Sequence, residues 1–536
     1  MYSTLHANKN KQPHQISNQM KIFQFIIVAL FAVTLITSCK KEVISRTENI
    51  AALKPANIDI NAGLWKPILL TAPDEFAVTV PGATNTPAYA AELNEIKSWQ
   101  QNMSSNLQND IQYWGAGAVL RWNEIVRGLV AKYNLAPYQN PDGTYPIPDP
   151  NNPFASTRFP FANPPYAARA YAYISAAQYD ALVAAWHYKK LYNRSAPYKI
   201  NATIQTKLPQ SDLPSYPSED AVVIGVTTEM LKLFFPTEQA YILELATSHK
   251  NARIAAGVNV RSDLEAGEAL GRLVAQKFAT RARTDRAGAA VGIVNGVDLW
   301  KEFETSTLSR GEVAWISQEA PKRPPMLPYF GRVRTWLFDS ATLISIRPPA
   351  PPSTSSEQFK KETEEVLSYS KNATREQIRI VHFWADGGGT YTPPGHWNAI
   401  AADDFIKLNF SEVRWARNMT LLNMSLMDAA IACWDAKYLY YNPRPSQVNP
   451  AIKTLTGLPN FPSYTSGHST FSGAAATILG HILPARKQAY EEMAKEASLS
   501  RLYGALHYRS DCEQGLICGN RVGAFAINRA STDGAE

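Results

Sequence analysis

Asp428-Ala-Ala-Ile-Ala-Cys-Trp-Asp-Ala-Lys437 has a counterpart earlier in the chain, Asp180-Ala-Leu-Val-Ala-Ala-Trp-His-Tyr-Lys189. Asp, Trp and Lys keep their spacing, and the two stretches lie 248 residues apart (428 against 180). Apolar residues recur between them at three- and four-residue steps, which is a helical pattern. Pro214-Ser215-Tyr216 against Pro462-Ser463-Tyr464 repeats the offset. So does Arg261-Ser262-Asp263 against Arg509-Ser510-Asp511, with Glu265, Gly267 and Gly271 opposite Glu513, Gly515 and Gly519. Separate matches at one offset, without a net gap, predict a duplicated unit at 168–285 and 416–533.

The same periodicity runs outward from these stretches and predicts helices over 110–135, 167–192, 220–235, 237–256, 262–284, 355–370, 374–385, 411–441, 468–483, 486–495 and 512–530. Thr374 followed by Gln377 reads as a capping box. Prolines in 137–165, 320–328 and 347–352 forbid long regular elements there. No strand ladder of comparable strength is visible, so the expected fold is all-α: two related helical bundles with proline-rich connecting loops. The expected organisation is a leader at 1–39, a lead-in at 40–105, a first bundle at 106–300 and a second at 301–536.

At 536 residues, 45% hydrophobic and 18% charged, the chain has the composition of a globular protein. Its net charge of +7 is mild for the length and no run of five or six like charges occurs, which argues against nucleic acid as a partner.

Near the C-terminus three blocks stand in order: Lys437 with Arg444-Pro445; Pro462-Ser-Tyr-Thr-Ser466-Gly467-His468; and Ser500-Arg501 with His507 and Asp511. A lysine and two arginines suit a tetrahedral oxyanion, which charge-assisted and bidentate hydrogen bonds hold. Ser466 offers a hydroxyl and Gly467 a closely approachable amide, at the start of a predicted helix whose free N–H groups favour negative charge. Two histidines remain, one to bond the central atom and one to move protons. Asp511 lies four residues after His507, on one face if the segment is helical, and is placed to orient the imidazole.

This spacing resembles the superfamily of type 2 phosphatidic acid phosphatases and vanadium-dependent haloperoxidases; the second block departs from it only by Tyr464-Thr465. The resemblance implies that His507 Nε2 ligates vanadate, or in a phosphatase attacks phosphorus; that His468 is the acid–base group; and that Lys437, Arg444, Ser466, Gly467 and Arg501 bind equatorial oxygens. It leans toward a haloperoxidase using hydrogen peroxide and halide, with a phosphatase acting on a phosphate ester as the alternative. Trp434 and Phe461 stand where fungal-type chloroperoxidases place aromatics beside the halide, with core packing as the competing role. Phe383-Trp-Ala-Asp386-Gly387, followed by Thr392-Pro-Pro394, resembles a segment whose aspartate pairs with the second arginine, so Asp386 is expected to hold Arg501. A third possibility is an envelope lipoprotein that only binds anions, which predicts a degenerate site.

The first copy differs where the chemistry needs agreement. Ala196 stands opposite Arg444, Asp220 opposite His468 and Asn259 opposite His507, while Lys189, Ser218, Arg253 and Asp263 persist. It is expected to be a structural half that binds no oxyanion.

From Met20, Lys21 is followed by the apolar stretch 22–36 and then Thr37-Ser38-Cys39, in the order of an export signal. About 15 apolar residues fall short of the roughly 20 that span a bilayer. The ending resembles a bacterial lipobox, which implies that Cys39 becomes a lipidated N-terminus and that the protein is exported and tethered to an envelope membrane. Residues 1–19 are polar, and translation starting at Met20 fits that order better. Cys512 and Cys518 either pair or stay buried thiols, the thiol reading being preferred.

Overall fold

The central elements are two helices of 29 residues each, α4 (Pro164–Tyr192) and α14 (Glu412–Tyr440). Each begins at a side-chain cap, Asn163 or Ser411 accepting an amide of the first turn, and each stops at a left-handed residue, Asn193 or Tyr441. Both are buried nearly all round, as alanine-rich helices at the middle of a large core are. They pack against each other, and the seam between them is polar: Thr420 Oγ1 donates to Ser175 O (2.8 Å) and Asn423 Nδ2 to Ser175 Oγ (2.9 Å). Such buried bonds fix the register of two otherwise smooth helices.

The computed structural model describes residues 50–135, 139–140, 142–144 and 163–535. The proposed leader with Cys39, and most of the 137–165 loop, lie outside the described residues. In chain order the remaining helices are α1 (Pro87–Gln101), α2 (Ser105–Gly115), α3 (Ala118–Tyr133), α5 (Pro197–Ile200), α6 (Glu219–Phe234), α7 (Gln239–Ala255), α8 (Arg261–Thr284), α9 (Lys301–Ser309), α10 (Ser340–Ser345), α11 (Glu357–Asn372), α12 (Arg375–Phe383), α13 (Thr392–Phe405), α15 (Pro445–Val448), α16 (Gly467–Ile482), α17 (Lys487–Tyr503) and α18 (Arg509–Ala530). Among the described residues the only strands are two short antiparallel ones, Ile293–Val294 and Val297–Asp298. No helix among those residues is long and apolar enough to cross a membrane.

Helices α4 to α7 superimpose in number on α14 to α17 at the offset of 248, residue for residue at both ends, and α8 and α18 begin in step. Capping repeats as well: the Ser218 and Ser466 hydroxyls cap α6 and α16, and the Asp263 and Asp511 carboxylates accept the amides of Val260 and Tyr508. Arg169 pairs with Asp285 as Arg417 pairs with Asp533, each at 2.7 Å. The matched glycines serve close helix contact: a Cβ on Gly271 would lie 2.3 Å from Val222 O, and one on Gly519 2.2 Å from Thr470 O.

The repeat reaches further than the offset shows. Glu92 and Glu95 of α1 hold Ser262 and Arg261, as Glu362 and Glu365 of α11 hold Ser510 and Arg509. That pair of helices is spaced differently from the rest, so a comparison at one offset does not find it, and the expected lead-in contains an element of the first bundle. From residue 51 on, the described residues form one compact unit.

Three expectations change. The helix expected over 110–135 breaks at Ala116-Gly117, where Gly117 takes φ 127° and the buried Glu412 carboxylate caps the amides of Ala118 (2.6 Å) and Val119 (3.1 Å). The helix expected to stop at 495 continues to Tyr503 and so carries Arg501. Helix α13 was expected only as a motif segment, because prolines at its start hide a helix that tolerates them in the first turn.

Candidate oxyanion-binding active site

Five elements, α14 to α18, converge on the three sequence blocks. The end of α14 supplies Lys437, whose Nζ donates to the carbonyls of Pro462 and Ser463 (both 2.8 Å). Arg444 caps α15 and is fully buried; its Nε donates to Phe461 O (3.0 Å), and its Nη1 to Leu506 O (3.0 Å) and toward His507 Nε2 (3.0 Å). Arg501 leaves the last turn of α17 and donates from Nη1 to Trp384 O (3.3 Å). Ser466 caps α16, accepting from Ser469 N (3.3 Å), and Gly467 and His468 open that helix, where amides have no acceptor within the helix.

His507 sits on the turn before α18, and Asp511 is in the first turn of that helix. The two meet because the turn folds back and not because they share a helical face, which corrects the expectation. His507 Nδ1 lies 2.9 Å from Asp511 Oδ2, and the same carboxylate oxygen accepts from Tyr508 N (3.2 Å) and from Ser463 Oγ. With Nδ1–H on the carboxylate, the lone pair of the imidazole is at Nε2, where Arg444 Nη1 donates toward it.

The electrostatics of the site are those of a cationic cradle. Burial holds Lys437 down to about 7, helped by Arg444 and opposed by Cys433 and Asp511. Burial likewise takes Arg444 and Arg501 down to about 10. His507 is pushed well below the usual histidine range by burial and then by Arg444, Lys437 and Arg501; His468 is pushed down by burial and by Arg501. Both rings are therefore neutral at pH 7. Asp511 is raised to about 6 by burial, against hydrogen bonding from Ser463 and the charges of Lys437 and Arg444.

Arg444 Nη2, Arg501 Nε and His468 Nε2 are buried polar atoms that make no hydrogen bond. Unmet buried donors are rare and costly. Arg444 Nη1 stands 3.0 Å from His507 Nε2 and the charge of Arg501 acts on the same ring; the unmet guanidinium donors fit an oxyanion that accepts from more than one side, so vanadate and phosphate both match this donor set.

The aromatics line the lysine side. Phe461 lies under Lys437 Nζ (4.9 Å to the ring centroid) and Arg444 Cζ (5.1 Å), and Trp434 packs on Phe461 at 5.0 Å. Trp434 is buried with its Nε1 bonded to Met326 O (3.2 Å). Asp386 does not bond Arg501 as expected. Its carboxylate instead meets His396 Nδ1 (3.1 and 3.2 Å) and stands 3.8 Å from His468 Nε2, so it reaches Arg501 only through its field. The reason is α13, whose prolines place His396 closer to the carboxylate than the guanidinium is. Cys433, Cys512 and Cys518 are free, buried thiols.

The first copy shows what replaces the ligand. Lys189 Nζ donates to Pro214 O (2.6 Å), as Lys437 does to Pro462 O, but it also pairs with Glu219 (2.7 Å). Glu219 occupies the position of Gly467, and Arg253 reaches both Glu219 (3.5 Å) and Asp220 (3.1 Å). Arg194 takes the place of the imidazole on Asp263. The chain's own carboxylates thus neutralise this cradle, beside a cavity of about 100 Å³ lined in part by Trp114, Trp186 and Glu412. Opposing Glu219 to Gly467 at the offset was the signal that sequence reasoning overlooked; Ser463 was read as motif and not as a partner of Asp511.

Residues 418–533 match the family model described as the PAP2 superfamily. No curated protein matches the chain significantly. Among solved structures, the chain is similar to one described as the first bacterial vanadium-dependent iodoperoxidase (TM-score 0.53, 24% identity, 68% of this chain and 91% of that one). It is also similar to a holo-type bacterial vanadium-dependent chloroperoxidase (TM-score 0.50, 13% identity, 72% and 96%). The fold is the all-α fold of these bacterial haloperoxidases, and the family match falls on the copy that carries both histidines.

Proposed function

We propose that this chain is a vanadate-dependent haloperoxidase, oxidising halide with hydrogen peroxide. The observation that carries the reading is the pair of unbonded, buried guanidinium donors on Arg444 and Arg501, with the unbonded Nε2 of His468, in a site where Arg444 reaches His507 Nε2. The likeness to structures described as an iodoperoxidase and a chloroperoxidase supports it.

His507 Nε2 would hold vanadate, with Lys437, Arg444, Ser466, Arg501 and the Gly467 amide around the oxygens. When bound, vanadate supplies a Lewis-acidic centre that activates hydrogen peroxide toward halide without changing its own oxidation state. The residues do the rest. Asp511 fixes the His507 tautomer, the three cations stabilise charge on the oxygens, and His468, a neutral ring, accepts and returns protons.

Phosphoric monoester hydrolysis is the second reading, because the same neutral, carboxylate-oriented His507 is a competent nucleophile. It would attack phosphorus while His468 protonates the departing alcohol, and water would then hydrolyse the phosphohistidine. Iodide and bromide oxidation measured with and without orthovanadate, beside hydrolysis of a chromogenic phosphate ester, separates the two. Vanadate-dependent halogenation with negligible cleavage supports the peroxidase; cleavage inhibited by vanadate supports the phosphatase; neither activity leaves an anion-binding protein.

We also propose export and lipidation at Cys39, on the signal-like order of residues 20–39. Palmitate labelling that persists in a Cys39→Ser variant would exclude it.

A further inference from the structure

We propose that His396 and Asp386 form a proton relay that reloads His468 from solvent, an inference that rests on the acid–base role of His468 in the reading above. Three side chains make the path: His396 Nδ1 lies 3.1 Å from Asp386 Oδ1, and Asp386 Oδ2 lies 3.8 Å from His468 Nε2, an atom with no other hydrogen bond. The second gap is the span that one water or a small side-chain shift closes.

The surroundings hold these groups in line. Asp386 takes a left-handed backbone conformation (φ 44°), a costly choice for a residue with a side chain. The His396 ring stacks on Trp384 (4.6 Å) with Phe383 edge-on (5.1 Å), and Phe383 is half exposed to solvent. The next residue, Trp397, ties α13 to α16 through Ser472 Oγ (3.0 Å), so the helix carrying His396 and the helix carrying His468 move together. Other charged or titratable groups facing the path are Arg501, whose field acts on both Asp386 and His468, and Tyr391, which lies under Arg127.

The path has a use because both proposed reactions move protons through a pocket that a bound ligand covers. His468 exposes 15% of its side chain and His396 11%, so each ring keeps its own narrow contact with solvent. Asp386 approaches by another route. In one passage His396 takes a proton at Nε2 from water, its Nδ1 proton passes to Asp386 Oδ2 (3.2 Å), and that same oxygen hands the proton on to His468 Nε2, leaving Asp386 as it began. His396 is left neutral with its proton on Nε2, and ring rotation or exchange with water resets it; no electron moves.

The test compares His396→Gln with wild type in dilute and in concentrated imidazole buffer, using whichever activity the protein shows. Glutamine keeps a donor for Asp386 but carries no proton through. The relay predicts kcat about tenfold lower in dilute buffer, with kcat/KM changed much less, and recovery to within about twofold of wild type as imidazole rises. Asp386→Asn keeps the shape and blocks the same transfer, so it reports the step should the first variant fold poorly. A His396→Gln enzyme with wild-type kcat in dilute buffer, or a loss that imidazole does not restore, overturns the relay while leaving the catalytic reading intact. A wild-type protein without either activity overturns both.

Discussion

At the residue scale, the site is defined by charges that the fold has removed from water. His507→Ala takes away the only ring nitrogen bonded to Asp511, and activity is expected to fall at least about a thousandfold with the melting temperature little changed. Asp511→Asn should cost about 10- to 100-fold, because without the carboxylate the proton is no longer held on Nδ1 or the lone pair on Nε2. Lys437 makes the pH dependence specific. Held down to about 7 from the 10.5 ordinary for lysine, it binds fewer protons folded than unfolded between those limits, so stability without bound anion rises with pH across that window. Oxyanion binding runs the other way: it favours the protonated amine, so phosphate affinity should fall as pH rises through 7. Calorimetry in buffers of different ionisation enthalpy checks this, with proton uptake expected on binding near neutrality. The residue types of this site were readable from spacing. The Asp386 partner was not, since choosing between Arg501 and His396 depends on where α13 lies.

At the element scale, the two copies make a controlled comparison. Gly519→Ala would drive a methyl into Thr470 O and part α18 from α16, the helices that carry Asp511 and Ser466, so it should destabilise the protein by about 2 kcal/mol or more and weaken phosphate binding as well. Gly128→Ala, in the open on α3, should be neutral or mildly stabilising by about 0.5–1 kcal/mol. Denaturant unfolding of the two variants measures the contrast. Glu219→Gln leaves the fully buried Lys189 without its counter-charge, and a loss of about 3–5 kcal/mol is expected. Helix positions were largely legible because three- and four-residue periodicity survives in long amphipathic segments. Ends and breaks were less so: the gap at Ala116-Gly117 depends on Glu412, nearly three hundred residues away.

At the scale of the whole molecule, the copies share one core. Helices α4 and α14 bury each other, and Glu412 at the start of α14 caps α3 of the first bundle. The fragment 301–536, though it holds every residue of the proposed site, would expose one face of α14, and it should not fold cooperatively alone. Dye binding and a broad thermal transition would show this; a sharp transition with retained phosphate binding would contradict it.

The sequence alone determined the helical character, the duplication and the residue types that meet in the candidate site, because each is written in local periodicity or in spacing along the chain. Tertiary structure alone decided the His507–Asp511 contact through a turn, the Asp386–His396 pair, and the neutralisation of the first copy by Glu219. Those depend on which groups burial brings within 3–4 Å of one another, and a desolvated charge settles on whichever counter-group the packing leaves nearest.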